Sequence, residues 1–199
     1  MGKTRKRILG GLVLLTAGIL LVSLTWKNEL TLDEYREFYA SPDYDCQYEK
    51  VIGGYKVQLK YRPTELHIAS RVENKEERDS LIKENSSVAF FDMKITALSG
   101  VSPIFEGDQS VLEERVMYFL AHVTDDLMLH NDDGEYYLLN HHMERNYNIN
   151  NSIYIQLAFN RPEHKDFTFT YNDRVLGIGK VNFEIKAKDI DKLPKINTL

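Results

Sequence analysis

A single cysteine, Cys46, stands in a chain of 199 residues, so no intramolecular disulfide can form and packing must hold the fold. Cys46 is either a buried small hydrophobe or the partner of a thiol on another molecule. A Gly-x-Ser-x-Gly elbow, a phosphate-cradling glycine loop and a Cys–His arrangement near Cys46 are all missing. Nucleophilic catalysis and nucleotide binding are thereby left without their usual residues. An excess of positive charge is missing as well, because 25 Lys and Arg face 30 Asp and Glu. That balance gives no electrostatic footprint for DNA or RNA, and nucleic acid is excluded as a partner. No motif calls for a cofactor, and none is expected.

One long hydrophobic run is present. A basic tip, Lys3-Thr4-Arg5-Lys6-Arg7, precedes an uncharged apolar stretch from Ile8 to Trp26. A helix over that stretch is roughly 28 Å long, close to the thickness of a bilayer's hydrocarbon core. Ile8, Leu12, Leu15, Ile19, Val22 and Trp26 mark the membrane anchor, with Trp26 at the interface and the basic tip in the cytoplasm. The competing reading is a cleaved secretory signal. Its core would be shorter, about 7–15 residues, and Ser23 and Thr25 offer only a poor cleavage frame. Lipid attachment needs a cysteine directly after the run, whereas Cys46 lies 20 residues beyond Trp26. The expected division is a cytoplasmic tip at 1–7, a transmembrane signal-anchor helix at 8–26 and one exported β-rich domain at 27–199. The exported part keeps 21 basic against 30 acidic residues, a formal charge of −9. The expected location is the inner membrane, single-pass, with the C-terminal domain in the periplasm, or a periplasmic or secreted protein if the run is cleaved.

Within the exported part, Thr31-Leu32-Asp33-Glu34 fits a capping box. Leu32, Tyr35, Phe38 and Tyr39 then recur at helical spacing until Ser41-Pro42. The period changes to two at Tyr55, Val57, Leu59 and Tyr61, preceded by Gly53-Gly54, which suits a tight hairpin with Tyr48–Ile52. Pro63 stops that strand and opens a helix packing through Leu66, Ala69 and Val72. The charged run from Glu73 to Asp79 is a solvated helix face or loop. Ala89, Phe91, Met93, Ile95 and Ala97 define another strand, and Ser99–Asp108 a loop. Ser110–Glu113 is a second capping-box match. The point in 116–124 where its helix yields to strand is not fixed by the pattern. Leu127 and Leu129 lead into the hairpin signal Asn131-Asp132-Asp133-Gly134, with Tyr136–Leu139 returning. Three clean alternations close the chain: Ile153-Ile155-Leu157-Phe159, Phe167-Phe169-Tyr171 and Val181-Phe183-Ile185. Turns fall at Asn160–Asp166 and Asn172–Gly179, and Lys186–Leu199 reads as a polar tail. Seven to nine short strands with two or three short helices predict a mainly β fold, an antiparallel β-sandwich of immunoglobulin-like type. A β-rich α+β domain is the alternative.

The densest polar cluster is His141-His142-Met143-Glu144-Arg145-Asn146-Tyr147. His142, Glu144, Arg145 and Tyr147 are the candidate binding residues. A metal reading would join His142 and Glu144 to a distant His130 or Asp133, but three or four ligands must converge and the spacing is loose. A wet edge strand is the plainer account. Asp125-Asp126 and Asp132-Asp133 lack the alternating donors and distal Glu of a calcium loop, so they read as turn acids. Twelve tyrosines, with Tyr35, Tyr39, Tyr44, Tyr48, Tyr55 and Tyr61 close together, suit either half-buried sheets or a partner- or glycan-binding face.

These segments, in order, resemble small exported proteins of Bacteroidetes-type bacteria, many of them lipoproteins. The resemblance rests on Thr31-Leu32-Asp33-Glu34-Tyr35, Tyr55–Pro63, His142-x-Glu144-Arg145-Asn146-Tyr147 with Leu157-x-Phe159, and Gly177-x-Gly179-x-Val181-x-Phe183 through Asp189-Ile190 and Leu193-Pro194. It spans most of residues 31–195, carries structural rather than catalytic motifs, and implies export without an active site. Those proteins begin with a lipidated cysteine, which this chain lacks. The expected function is that of a non-enzymatic, membrane-anchored periplasmic domain that contacts another envelope protein, its partners being that protein and, through the N-terminal helix, the lipid bilayer. A glycan or small-ligand binder would need a concave aromatic groove at the His141–Tyr147 strand. A metal-dependent envelope hydrolase would need a site at His142 and Glu144.

Overall fold

The computed structural model describes residues 29–144, 150–161 and 165–197, apart from the side chain of Gln109. The expected anchor residues Ile8, Leu12, Leu15, Ile19, Val22 and Trp26 lie outside these, as do Arg145 and Tyr147. Among the described residues no helix is long and apolar enough to cross a membrane.

The chain begins with β1 (Glu29–Leu30) and α1 (Leu32–Ala40). Thr31 and Glu34 cap α1 reciprocally, the Thr31 hydroxyl accepting from the Glu34 amide and the Glu34 carboxylate accepting from the Thr31 amide at 2.9 Å. Next come β2 (Gln47–Ile52) and β3 (Tyr55–Arg62). Gly53 and Gly54 join them with φ of 59° and 86°, the left-handed pair that a type I′ hairpin requires. In β3, Tyr55, Val57, Leu59 and Tyr61 are buried while Lys56, Gln58, Lys60 and Arg62 face outward. Two short helices follow, α2 (Thr64–Ala69) and the wholly unburied α3 (Lys75–Glu84), then β4 (Val88–Ala97).

After the loop comes α4 (Leu112–Met117), with a 3₁₀ turn on its N-terminal side, a π turn at Tyr118–His122 and a further 3₁₀ turn. The capping box read at Ser110–Glu113 does not form. Ser110 lies in the leading 3₁₀ turn, its amide donating to the Asp108 carboxylate at 2.9 Å, and Val111 stands at the cap position without a side-chain bond. Then follow β5 (Leu127–Asn131), β6 (Gly134–Tyr136), β7 (Leu138–Met143), β8 (Ser152–Asn160), β9 (Phe167–Asn172), β10 (Lys180–Ile185), α5 (Ala187–Asp191) and β11 (Lys195–Ile196). The C-terminal segment is therefore more than a polar tail: β11 pairs in parallel with β1, and the Asn197 amide donates to the Leu30 carbonyl at 2.7 Å. The return strand read at Tyr136–Leu139 is broken at Tyr137, where the chain leaves one sheet for the other.

The protein is mainly β, with antiparallel sheets and few, short helices. One sheet has the order β2-β3-β4-β8-β7 and the other β10-β9-β5-β6. Immunoglobulin domains place their first, second, fifth and fourth strands in one sheet. Here the first three strands of the large sheet are consecutive neighbours, so this sandwich-like fold has its own strand order. The two inner faces meet in an aromatic cluster. Phe91 of β4 lies with its ring centroid 5.7 Å from Tyr61, 6.2 Å from Phe159, 6.1 Å from Phe167 and 6.0 Å from Phe169. The first three are edge-to-face and the fourth is tilted, and aromatic pairs of this kind add about 0.5–1.5 kcal/mol beyond area burial. Cys46 is fully buried, and burial, aided by Asp189 and Asp45, pushes its thiol up to about 12. It serves as a small hydrophobe.

Candidate functional site

Strand alternation puts a polar row on the outer face of the large sheet, away from the core. Register lines up Gln47, Lys60, Asp92, Gln156 and His142 across five strands, and beside them Glu49, Gln58, Lys94 and Tyr154. The Glu144 amide donates to the Tyr154 carbonyl at 2.9 Å, which extends the second row to Glu144. Helix α1 stands against this face and makes a wall. The result is a groove of about 470 Å³, floored by Gln58, Lys60, Lys94 and Tyr154 and bounded by Tyr39 and Glu144. That volume falls within the range of small-molecule sites.

Asp92 organises the floor. It accepts from the Tyr39 hydroxyl and from Arg62, whose Nε lies 3.0 Å away. Burial, then Asp92, holds the Tyr39 hydroxyl far above the usual tyrosine range, so it stays a donor. The Lys60 Nζ donates to the Tyr39 carbonyl at 2.9 Å and sits 5.2 Å from the Tyr39 ring centroid. Lys94 lies 5.0 Å from the Tyr154 ring centroid. Both lysines therefore rest on aromatic faces. Burial lowers the Lys60 ammonium from its ordinary range, and Lys94 nearby lowers it further, against the pull of Asp92.

A second groove, of about 350 Å³, adjoins the first and shares Arg62, Asp92 and Gln156 with it. Its other walls include His67 of α2, Arg71 just after that helix, Phe90, and His142 of β7. His67 stacks on Phe90 with centroids 3.8 Å apart and rings 11° from parallel. Arg71 donates through Nη1 to His67 Nε2 at 2.7 Å and through Nη2 to Gln156 Oε1 at 3.0 Å. Arginine can only donate, so His67 is held neutral with its proton on Nδ1. Burial, then Arg71 and Arg62, lowers His67 to about 4. The unfolded chain, with an ordinary histidine near 6.5, binds more protons than the folded one between those values. The resulting penalty is absent above pH 6.5 and grows as pH falls toward 4. Because His67 is half-exposed, its size is about 1 kcal/mol rather than the full value of the shift. Denaturant unfolding should accordingly show about 1 kcal/mol less acid destabilisation between pH 6.5 and 4 in His67→Gln than in the parent. Equal slopes would remove this role.

Of the sequence candidates, His142 and Glu144 line the two adjoining grooves, and Arg145 and Tyr147 lie outside the described residues. The metal constellation is not brought together. His130 belongs to the small sheet, 3.3 Å from the Thr170 hydroxyl, and Asp133 pairs with Lys165 at 2.6 Å. Among the described residues no group of three His, Cys, Asp or Glu side chains converges as metal ligands. Asp126, read as a turn acid, is instead a buried tertiary partner that accepts from the Tyr118 hydroxyl at 2.8 Å and from Arg174 Nε at 2.6 Å. Sequence reading named Tyr39 only within the tyrosine cluster and missed Lys60, Arg62, Arg71, Asp92, Lys94 and Tyr154 as site residues. The available signal was that the outward positions of β3, Lys56, Gln58, Lys60 and Arg62, are mostly basic in an acidic chain.

No family model matches the chain. No curated protein matches it either. Among solved structures, the chain is similar to the crystal structure of a DUF4426 family protein from Pseudomonas aeruginosa PAO1. The two are 10% identical with a TM-score of 0.38, covering 71% of this chain and 93% of that one. A likeness at that level carries no argument about function.

Proposed function

We propose that the protein is a non-catalytic binding module of the cell envelope, held at the inner membrane by residues 8–26, that takes a saccharide on the outer face of its large sheet. The observation that carries the reading is the concave groove bounded by Tyr39, Tyr154 and Glu144, which adjoins a second groove at His142. Half-buried tyrosine faces offer stacking area to sugar rings, and Gln47, Gln58 and Gln156 offer carboxamides to hydroxyls. The apolar run, the basic tip and the resemblance to exported proteins support the tether. A glycan array probed with the full-length protein in detergent micelles should retain envelope saccharides. Tyr154→Ala should weaken that retention roughly 3–10-fold, the amount an aromatic contact is worth, without lowering the thermal midpoint appreciably. Retention unchanged in Tyr154→Ala, or no saccharide retained at all, would end the reading. Recovery of the protein from the soluble fraction after alkaline extraction of membranes would replace the tether with a cleaved signal.

A second reading, docking of another envelope protein, is favoured by exposed Val51 and Leu98 beside the Gly53-Gly54 hairpin and by Val101 and Phe105 in the following loop. Co-purification of one stoichiometric partner, lost in Val51→Ser/Leu98→Ser, would support it over the saccharide.

A further inference from the structure

The groove has a charge opposite to that of the domain around it. Residues 27–197 are strongly acidic, yet the two adjoining cavities are lined by Lys60, Arg62, Arg71 and Lys94 against Asp92 and Glu144. Asp92 is already engaged by Arg62 and by the Tyr39 hydroxyl. Lys94 makes its contact with the Tyr154 ring, Lys60 with the Tyr39 carbonyl and ring and the Tyr44 ring, and Arg71 with His67 and Gln156. None of the three is within ion-pair distance of a carboxylate among the described residues. Lys60 and Lys94 are diagonal neighbours on adjacent strands, since Lys60 pairs with Asp92 and Gln58 pairs with Lys94. Diagonal partners on one sheet face sit about 7–8 Å apart, within reach of long side chains. Like charges so placed repel; burial is the main cause of the lowered Lys60 ammonium, and the repulsion from Lys94 adds to it against the pull of Asp92. An anion bridging the two ammonium groups turns the repulsion into two charge-assisted hydrogen bonds.

We infer that the groove reads an acidic saccharide, a sugar whose ring stacks on Tyr154 or Tyr39 and whose carboxylate is held between Lys60 and Lys94, with Arg71 receiving the next anionic residue in the adjoining groove. The inference rests on the saccharide reading of the groove and adds the charge of the ligand. The two lysines supply the charge selectivity, and the three glutamines pair with hydroxyls. Asp92 keeps Arg62 and Tyr39 in place, so it orients the site without touching ligand. The acidic remainder of the domain repels polyanions elsewhere, which confines such ligands to this face.

The test is isothermal titration of the full-length protein in detergent micelles with a galacturonate trimer and, separately, with the neutral galactose trimer. The acidic trimer should bind at least tenfold more tightly than the neutral one at low salt. Its advantage should shrink as ionic strength rises, because exposed charge contacts are screened over about 10 Å at 0.1 M salt. Lys60→Gln/Lys94→Gln should lose roughly tenfold or more in affinity for the acidic trimer, the scale of a charge-assisted hydrogen bond, and so bring the acidic-to-neutral affinity ratio close to one. Equal binding of both trimers, or an acidic trimer indifferent to the double substitution, would overturn the charge assignment while leaving the saccharide groove standing. Binding of neither trimer would overturn both. Circular dichroism of the double variant, matching the parent, separates loss of ligand from loss of fold.

Discussion

Replacing Phe91 by alanine is expected to cost about 3–5 kcal/mol of stability, the range found for deleting a buried phenylalanine. Phe91 is 1% exposed and sits where the two sheets meet, touching Tyr61 from its own sheet and Phe167 and Phe169 from the other. The ring is ringed by other rigid aromatics, so the surrounding side chains cannot collapse into the space and the cavity stays open. In a domain of this size the loss corresponds to a fall of roughly 6–20 °C in the thermal midpoint. Phe91→Leu keeps much of the volume and should cost less than half as much. Urea or thermal unfolding followed by circular dichroism measures both. A Phe91→Ala loss below about 1 kcal/mol would mean that the sheets do not share this core.

Asp173→Ala is expected to be comparably damaging, for a polar reason. Asp173 is 7% exposed, in the connection between β9 and β10. Its carboxylate accepts from the Tyr171 hydroxyl at 2.9 Å, from the Leu176 amide at 3.0 Å, from the Ile178 amide at 2.8 Å and from the Val175 amide at 3.3 Å. Burial, then Asp173 itself, raises the Tyr171 hydroxyl well above its ordinary range, which keeps it a donor toward the carboxylate. Deleting the carboxylate strands several donors at once, each costing about 1–3 kcal/mol when buried without a partner. Partial access of water to the loop limits the total to about 3–5 kcal/mol. Asp173→Asn is the sharper variant. It preserves size but turns one acceptor oxygen into an NH₂ group facing backbone N–H groups, so it should recover less than half of the loss. An asparagine variant as stable as the parent would show that the loop is held by other contacts.

The strands were legible because their buried faces repeat every second residue. In β3, β8, β9 and β10 the alternating positions named from the pattern are all buried, and the Gly53-Gly54 turn follows from a backbone only glycine adopts cheaply. Helix α1 was legible from its capping box. Pairing was legible only at the two hairpins, β2 with β3 and β5 with β6, where turn residues mark it; elsewhere period two says which face a residue occupies and nothing about which strand lies beside it. The parallel clasp of β1 with β11 joins segments two residues long, below any periodic signal. The groove escaped for the same reason. Lys60, Asp92, Gln156 and His142 form one row only once four strands are set in register, and Tyr39 joins them from a helix. His142 and Glu144 were visible beforehand as a dense polar cluster. Their neighbours were hidden among residues that read as ordinary solvent-facing positions.

The two main sheets end in open ladders, and their four edges are blunted in three ways. Strand β2 carries exposed Glu49 and Lys50, and β10 exposes Lys180, Asn182 and Glu184 at alternate positions. Strand β6 is three residues long, and β7 is broken by a register shift between Leu138 and Asn140. Charge, brevity and a kink are the devices by which β proteins avoid templating one another. A neighbouring copy that approaches edge-on meets charged side chains, too short a ladder or a bent one, which works against strand-by-strand growth into fibres.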